Sequence, residues 1–288
     1  MPSGGPQAPN GGIGKRLLLF ALGAAACVLG YLWLLGLSSL GPASPTAGVI
    51  PALVMALATF ALNGRFLRAD GRSLADIGCT FSRRRAAQFG YGFLGGALLT
   101  GAWVGIVAAA AGARWHWNPS FRAPALVLAG TFAFFNNAGE ELVYRGYAFV
   151  RLADRFGPAV AIVSTSLVFA ILHLQAGIPW LNVAAGVLTS GLIFAILFAR
   201  WRSLPLALGF HFATNLFQEA SGLRPSSASP IVPTFPAAAD SISMRTALAG
   251  VAVLNVLVAS LLVRSWRRAM EPSNAASHGD ASGFGRGR

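Results

Sequence analysis

Charged side chains are scarce in this chain, and that scarcity decides its broad class. Only 11% of its 288 residues are charged, whereas 55% are hydrophobic and the mean hydropathy is +0.61. A soluble domain carries about 25% charged residues. The composition therefore excludes an ordinary soluble protein and predicts one polytopic membrane domain.

Lysine and cysteine are also nearly absent. Lys15 is the only lysine, and the two cysteines are Cys27, in the first apolar run, and Cys79, in a basic loop. Neither placement is typical of a disulfide or a metal cluster. The preference for arginine, with many alanines and glycines, is typical of a GC-rich bacterial genome and favours the bacterial plasma membrane.

The net charge of +13 raises the question of a nucleic-acid partner. The basic residues fall at the ends of apolar segments and do not form one patch. This distribution argues against nucleic acid and favours contact with the anionic headgroups of a lipid bilayer.

Several signatures of membrane enzymes are missing. The absence of HExxH excludes a site-2-type metalloprotease, and the absence of GxGD argues against a presenilin-like aspartyl protease. Ser190-Gly191 together with His211 faintly suggests a rhomboid-like serine dyad, but the rhomboid Gly-x-Ser-Gly is not present. No Walker motif or CxxC occurs either.

Eight apolar segments approach the ~20 residues that a helix needs to cross a bilayer. They lie near 17–38, 47–64, 88–111, 123–149, 159–176, 180–199, 203–219 and 246–264. The first is longer than a signal-peptide core, which predicts an uncleaved helix. If the N-terminus is inside, most of the 22 Lys and Arg residues face the cytoplasm, and the outer loops hold only Arg114, Arg122, Arg224 and Arg245. The positive-inside rule then predicts an all-α transmembrane bundle of about eight helices with both termini cytoplasmic.

The predicted organisation is a single transmembrane domain over residues 15–268. Residues 1–14 and 269–288 are rich in Gly, Ser, Pro and Asn, which predicts disordered tails. The stretch 221–245 is predicted to be a long Pro/Ser/Ala loop. No internal repeat is present.

The first polar group within the apolar segments is a pair of glutamates. An ionisable side chain at bilayer depth costs roughly 2.5–3.5 kcal/mol on insertion scales, so such residues are usually functional. Glu141 and Arg145 are i,i+4 on a helix and are predicted to form an ion pair. Glu140 points ~100° away, without that partner, which makes it the better candidate for a general base or metal ligand. Asn136 and Asn137, one turn earlier, are predicted to donate hydrogen bonds to Glu140 and Glu141. The alternative is that Glu140 only ends the helix at the cytoplasmic interface.

Two further segments place a polar residue four positions from a partner. Phe169 and His173 share one helix face, and His211 and Asn215 share another, which Glu219 extends without an assigned role. A lone His or Asn in a membrane helix can simply bind a neighbouring helix. Together, however, three such faces supply a base, imidazoles and an amide donor, a set suited to activating water.

These elements resemble the motifs of the CPBP family, the CAAX prenyl endopeptidase and abortive-infection (ABI) intramembrane metalloproteases. The family pattern is EExxxR, FxxxH and then HxxxN or HxxxD. Here it stands as EELVYR (140–145), FAILH (169–173) and HFATN (211–215). Order and spacing both fit over residues 120–220, so the resemblance implies intramembrane hydrolysis of peptide bonds.

The resemblance also implies a role for each motif residue. Glu140 would be the key carboxylate, supported by Glu141 and Arg145, and His173 would act with it on the water. His211 and Asn215 would stabilise the oxyanion, or His211 would complete a metal site. Glu140, His173 and His211 would suffice as ligands for a catalytic zinc ion with one open position. A metal-free mechanism with the same carboxylate and imidazoles is equally open.

Three functional classes remain at this point. The leading one is an endopeptidase that acts on a peptide or membrane protein. The second is a non-catalytic immunity or scaffold protein of the same family. The third is a proton-coupled transporter with buried Glu and His as a relay, which the lack of an internal repeat disfavours.

If the helices are straight and upright, the candidate residues lie at different depths in the membrane and cannot form one site. Glu140 would lie ~15–18 Å from the inner face, His173 ~20–22 Å and His211 ~10–12 Å. A shared site therefore requires tilt, a kink, or a helix end set inside the membrane.

Overall fold

The computed structural model describes residues 12–39, 47–236 and 241–270, and these are mostly helical. The predicted tails lie outside the described residues, except for residues 12–14 and 269–270, of which 13–14 and 269–270 belong to the first and last helices. The helices are α1 (Ile13–Ser39), α2 (Val49–Ala69), α3 (Arg83–Ala111), α4 (Ala123–Arg145), α5 (Tyr147–Phe156), α6 (Pro158–Gln175), α7 (Trp180–Asn182), α8 (Thr189–Trp201), α9 (Leu204–Ala220) and α10 (Ser241–Met270). A 3-10 turn at Leu74–Ile77 follows α2, and a π-helical stretch at Val183–Leu188 joins α7 to α8.

Six helical stretches of the described chain are long and apolar enough to cross a membrane. They are Gly14–Ser38, Val49–Ala69, Arg83–Ala111, Pro158–Gln175, Trp180–Trp201 and Ser241–Met270. The motif-bearing helices complete the bundle: α4 contains two glutamates and an arginine, and α9 is 17 residues long. Large apolar side chains such as Leu29, Leu98 and Leu261 are exposed, as expected of helices that face lipid. The predicted all-α polytopic bundle is confirmed.

Helices α3 and α9 approach each other through glycines. A Cβ at Gly92 would lie 2.1 Å from the carbonyl oxygen of Leu206, and one at Gly209 would lie 2.2 Å from that of Phe89. Small residues let membrane helices come this close. The contact fixes α9, which carries two of the candidate residues, against the longest helix before the motif region.

The predicted single helix over 123–149 is wrong, because the helix breaks at Gly146. Asn63 of α2 is buried beside the break, where its Nδ2 donates to the Leu142 oxygen at 3.0 Å and its Oδ1 accepts from the Tyr147 N–H at 2.6 Å. These are backbone groups that the interrupted helix leaves without a partner. A Cβ on Gly146 would lie only 2.0 Å from Asn63 Oδ1, so the break requires glycine.

The break removes part of the depth conflict. Glu140 lies five residues from the end of α4, ~7.5 Å along the axis, and His211 lies seven residues into α9, ~10 Å. The two residues therefore reach similar levels from the predicted inner side. His173 lies fifteen residues into α6, ~22 Å, and remains deeper.

Gly146→Ala is expected to lower stability by about 1–3 kcal/mol, the usual cost of forcing extra atoms into a packed site. The measurement is the thermal unfolding midpoint of the purified protein in detergent. Gly105→Ala is the matched control, since a Cβ there meets nothing within 4 Å. Equal midpoints for the two variants would show that the Asn63 contact does not hold the break.

Helix α5 is an additional element that the sequence analysis did not predict. It buries Tyr147, Phe149 and Val150, and it turns Arg151 and Asp154 toward the charged ends of neighbouring elements. Arg151 Nε lies 3.1 Å from Asp70 Oδ2, and Arg72 lies 2.6 Å from Asp154. These ion pairs therefore hold α5 at the predicted inner end of the bundle, next to the end of α4.

The predicted loop 221–245 is only partly a loop. Residues Ile231–Thr234 form β2, which pairs antiparallel with β1 (Arg114–Trp117), and α10 already begins at Ser241. The register places Arg114 opposite Thr234. This pair ties the segment that precedes α4 to the segment that follows α9, on the predicted outer side.

Candidate active site

The buried centre of the site is the carboxylate of Glu141. Arg145 NH1 donates to Glu141 Oε1 at 3.0 Å, and both side chains are fully buried. The predicted ion pair therefore forms. His211 Nδ1 lies 2.9 Å from the same oxygen, a contact between α4 and α9 that the sequence analysis missed. The second nitrogen of the guanidinium donates to the Gly191 oxygen at 2.9 Å, which ties α8 to the pair.

Aromatic rings surround the Arg145 guanidinium. Its carbon lies 5.2 Å from the ring centroid of Phe169, 5.5 Å from Phe194 and 5.7 Å from Tyr144. Rings at this distance attract a cation, and the attraction grows where water is excluded. The phenylalanine of the FxxxH motif is thus explained: Phe169 helps to hold the buried charge.

Glu140 lies outside the buried ion pair, as predicted. Its side chain is 18% exposed, in contrast to the fully buried Glu141. Asn136 Nδ2 donates to Glu140 Oε1 at 3.0 Å, as predicted. The other oxygen, Oε2, lies 3.6 Å from His211 Nε2. Glu140 is therefore the accessible carboxylate, and it faces an imidazole.

The hydrogen on His211 can be placed from its partners. The Glu141 carboxylate, which pairs with Arg145, offers an acceptor to His211 Nδ1, so a hydrogen on Nδ1 satisfies this contact. In the neutral imidazole Nε2 is then an acceptor. The ring is held by stacking on Phe194 at 4.4 Å between centroids. Two acceptors, Glu140 Oε2 and His211 Nε2, thus face the same space and suit a donor such as a water molecule.

Asn215 lies one turn beyond His211 on α9 and is half-buried. Its Nδ2 donates to Asn137 Oδ1 at 2.9 Å. Asn137 was predicted to donate to Glu141, and that prediction is wrong, because the buried Asn137 Nδ2 has no hydrogen-bond partner among the described residues. The contact leaves the second N–H of the Asn215 amide free to serve another acceptor.

His173 lies apart from this hydrogen-bonded group. Its Nδ1 lies 2.8 Å from the carbonyl oxygen of Phe169, and its ring packs on Phe169 at 4.4 Å between centroids. Within residues 12–39, 47–236 and 241–270 no hydrogen bond joins it to Glu140 or His211. Its link to the group is the Phe169 ring, which also packs edge-on against His211 at 5.8 Å. The catalytic role of His173 stays a prediction.

The predicted zinc ligands do not form a metal site in this arrangement. In the described part of the chain, no three His, Cys, Asp or Glu side chains are grouped so that they could hold a metal ion. Glu140 and His211 face each other, but His173 does not join them. Only two of the three predicted ligands lie together, and the zinc site stays a prediction.

Several residues of the site were not predicted. Gly191 and Phe194 of α8 contact Arg145 and His211, but neither residue carries a distinctive sequence signal. Ser190, considered as a rhomboid-like nucleophile, lies 3.4 Å from Asn255 Nδ2 in a buried contact between α8 and α10. Asn63, which locks the end of α4, could have been suspected as a polar residue inside an apolar segment.

The comparison with known families adds to this geometry. Residues 119–217 match the model of the family described as Type II CAAX prenyl endopeptidase Rce1-like. Over these 99 of its 288 residues the chain is similar to Rce1-like proteins. The match covers all three motifs and confirms the predicted resemblance. No curated protein and no solved structure matched the chain significantly.

The matched segment extends from the residues just before α4 to the last turn of α9. It contains Glu140, Glu141, Arg145 and His211, which the structure joins by short polar contacts. The matched family is one of CAAX-type proteases, and six helices of the described chain are long and apolar enough to cross a membrane, so the match supports a multi-pass membrane protein related to these proteases.

Proposed function

We propose that this Rce1-like protein is an endopeptidase of the bacterial plasma membrane that hydrolyses a peptide bond in a membrane-associated protein or peptide. The observation that carries the proposal is the Glu140–His211 pair. A partly exposed carboxylate lies 3.6 Å from an imidazole nitrogen, and the buried Glu141 orients that imidazole. A carboxylate and an oriented imidazole are a combination that activates water.

The proposed reaction begins with a water molecule between Glu140 and His211. Glu140 takes a proton while the water oxygen attacks the carbonyl carbon of the peptide, and His211 Nε2 accepts the second hydrogen bond and orients the water. The carbon–nitrogen bond then breaks, and the proton held by Glu140 passes to the leaving amine. Water is consumed, and a carboxylic acid, which keeps the second proton of the water, and an amine are released.

The proposed oxyanion donor is Asn215. One of its N–H groups is held by Asn137, and the other is available to the carbonyl oxygen as negative charge develops on it. His211 cannot fill this role in the form described above, because its Nε2 is an acceptor. His173 stays a proposed site residue. The Phe169 ring packs against both His173 and His211.

A zinc-assisted reaction with Glu140, His173 and His211 is the alternative proposal for the chemistry. It would need the outer end of α6 to move so that His173 joins the other two side chains. The imidazoles are suited to ligation in one respect. Each directs Nδ1 at an oxygen, which leaves Nε2 as the free nitrogen.

The proposed function is tested by comparing protein termini in cells. Membrane proteomes with wild-type protein and with Glu140→Gln, at matched levels, are analysed for new N- and C-termini. We expect new termini only with the wild-type protein, and their sequences name the substrates.

Identical termini in the two strains would contradict the proposal. A wild-type protein that captures a membrane partner without cutting it, and still does so as Glu140→Gln, would support the immunity or scaffold alternative. Expression of both variants is checked in the same membranes, because loss of the protein alone would also remove the products.

A further inference from the structure

The loop over residues 221–230, which joins α9 to β2, is firmly fixed although it is rich in Pro and Ser. The Asn118 side chain donates to the Ser226 oxygen at 3.0 Å and to the Ser229 oxygen at 2.8 Å. The Arg122 N–H donates to the Ser227 oxygen at 2.8 Å. Ser226 also bonds Glu219, the glutamate to which no role was assigned. The loop lies beyond residues 119–217, so the family match does not include it.

Arg224 of this loop reaches back to the candidate site. Its NH2 lies 3.5 Å from Asn215 Oδ1. The residue as a whole is exposed, but the protein surrounds its guanidinium, and this burial lowers the pKa of Arg224. The carboxylates of Glu219 and Glu140 act in the opposite direction on that pKa. The contact with Asn215 therefore places the Arg224 guanidinium beside a side chain that lies one helical turn from His211.

Asn215 is thereby held from both sides. Its Nδ2 faces Asn137 Oδ1 at 2.9 Å, and its Oδ1 faces the Arg224 guanidinium. A guanidinium has only donors, so it must face the oxygen of the carboxamide. The two contacts exclude the flipped carboxamide, and one N–H is left for the substrate.

We infer that Arg224 is a positioning residue of the active site, which fixes the Asn215 carboxamide and places a positive charge beside the developing oxyanion. This inference rests on the proposed function for its chemical consequence and on the loop geometry for the contact itself. It predicts that part of the active site comes from a segment outside the family domain.

The first test is kinetic. The probe is a fluorescence-quenched peptide that spans a cleavage site found by the comparison of termini, used with purified full-length protein in lipid. Arg224→Gln is expected to lower kcat about 10- to 100-fold and to change KM little, because the loss falls on transition-state stabilisation. Arg224→Lys, which keeps the charge, should recover part of the loss.

Arg114→Gln is the matched control, since it removes an exposed arginine on the same side of the molecule and Arg114 lies outside the site. Its kcat should equal that of the wild type. The inference is overturned if Arg224→Gln keeps the wild-type kcat, if only KM changes, or if Arg114→Gln loses as much.

The second test needs no activity. Hydrogen–deuterium exchange of the 221–230 amides is measured in detergent for wild type, Asn215→Leu, Arg224→Gln and Arg114→Gln. Loss of the contact should speed exchange in Asn215→Leu and Arg224→Gln, whereas Arg114→Gln should exchange like the wild type. Unchanged exchange in Asn215→Leu and in Arg224→Gln would show that the Arg224–Asn215 contact does not hold the loop, and this result would overturn the inference. If the loop responds but the wild type cleaves no peptide in cells, the proposed function fails and the contact stands.

Discussion

Glu140→Gln is expected to lower kcat by about 10²–10⁴-fold, the range that general acid–base catalysis contributes. Glutamine has nearly the same shape, and its oxygen can still accept from Asn136 Nδ2 as Glu140 does at 3.0 Å. What it cannot do is take a proton from water. The side chain is 18% exposed and belongs to no buried ion pair, so the folded state should survive. The measurement is kcat on the cleaved peptide together with the thermal midpoint of the same preparation.

Asp154→Asn is the control for this variant, because Asp154 is an exposed carboxylate that pairs with Arg72 away from the site. Its activity should match that of the wild type. Glu140→Gln would contradict the proposed mechanism if it retained more than about one tenth of the activity. An inactive variant with a lowered midpoint would not support it either, since misfolding explains that result.

The local features of the site follow from spacing and could be predicted. Glu141 and Arg145 are four residues apart, so any helix brings them together, and they pair at 3.0 Å. The same geometry turns Glu140 away from that pair and puts Asn136 beside it, and both relations are present. Such contacts lie within one turn of one helix, where the sequence alone determines the neighbours.

The end of α4 could not be predicted, because residues distant in the sequence determine it. No proline marks the break, and the apolar residues that begin α5 extend the hydrophobic run past Arg145. Asn63, which is 79 positions before Leu142, supplies the hydrogen bonds that the break requires. This break also sets how far Glu140 lies from the helix end. The depth of Glu140 in the membrane therefore could not be predicted from the sequence either.

Contacts between helices were missed for the same reason. His211 is 70 positions from Glu141, and spacing within a motif does not reveal which side chain of another helix it will face. The pairing of β1 with β2 brings together Arg114 and Thr234, which are 120 positions apart in the sequence. Each strand has only four residues, and β2 contains Pro233, so neither has the alternating pattern of an ordinary strand.

Arg145→Met is expected to destabilise the protein by about 3–5 kcal/mol, the cost of leaving one member of a buried ion pair without its partner. Glu141 would keep only the His211 contact, in a place with no access to water. The free energy of unfolding is measured by denaturant titration in mixed micelles. Arg155→Met is the control, because Arg155 is exposed, and a surface change of this kind stays within about 0.5 kcal/mol.

The double variant Glu141→Gln with Arg145→Met separates the charge from the packing. It removes both charges together, so no uncompensated charge remains, and replacing a buried pair in this way is often nearly neutral. We therefore expect the double variant to be more stable than Arg145→Met alone. If it is no more stable, the penalty comes from lost contacts of the arginine with Gly191 and the aromatic rings.

The same double variant also separates stability from chemistry. The glutamine oxygen can still accept from His211 Nδ1, but it carries no negative charge to strengthen the basicity of the imidazole. The variant should therefore recover much of its stability while its kcat stays low. Recovery of both would mean that Glu141 serves only to neutralise Arg145, and that His211 needs no charged partner to orient the water held by Glu140.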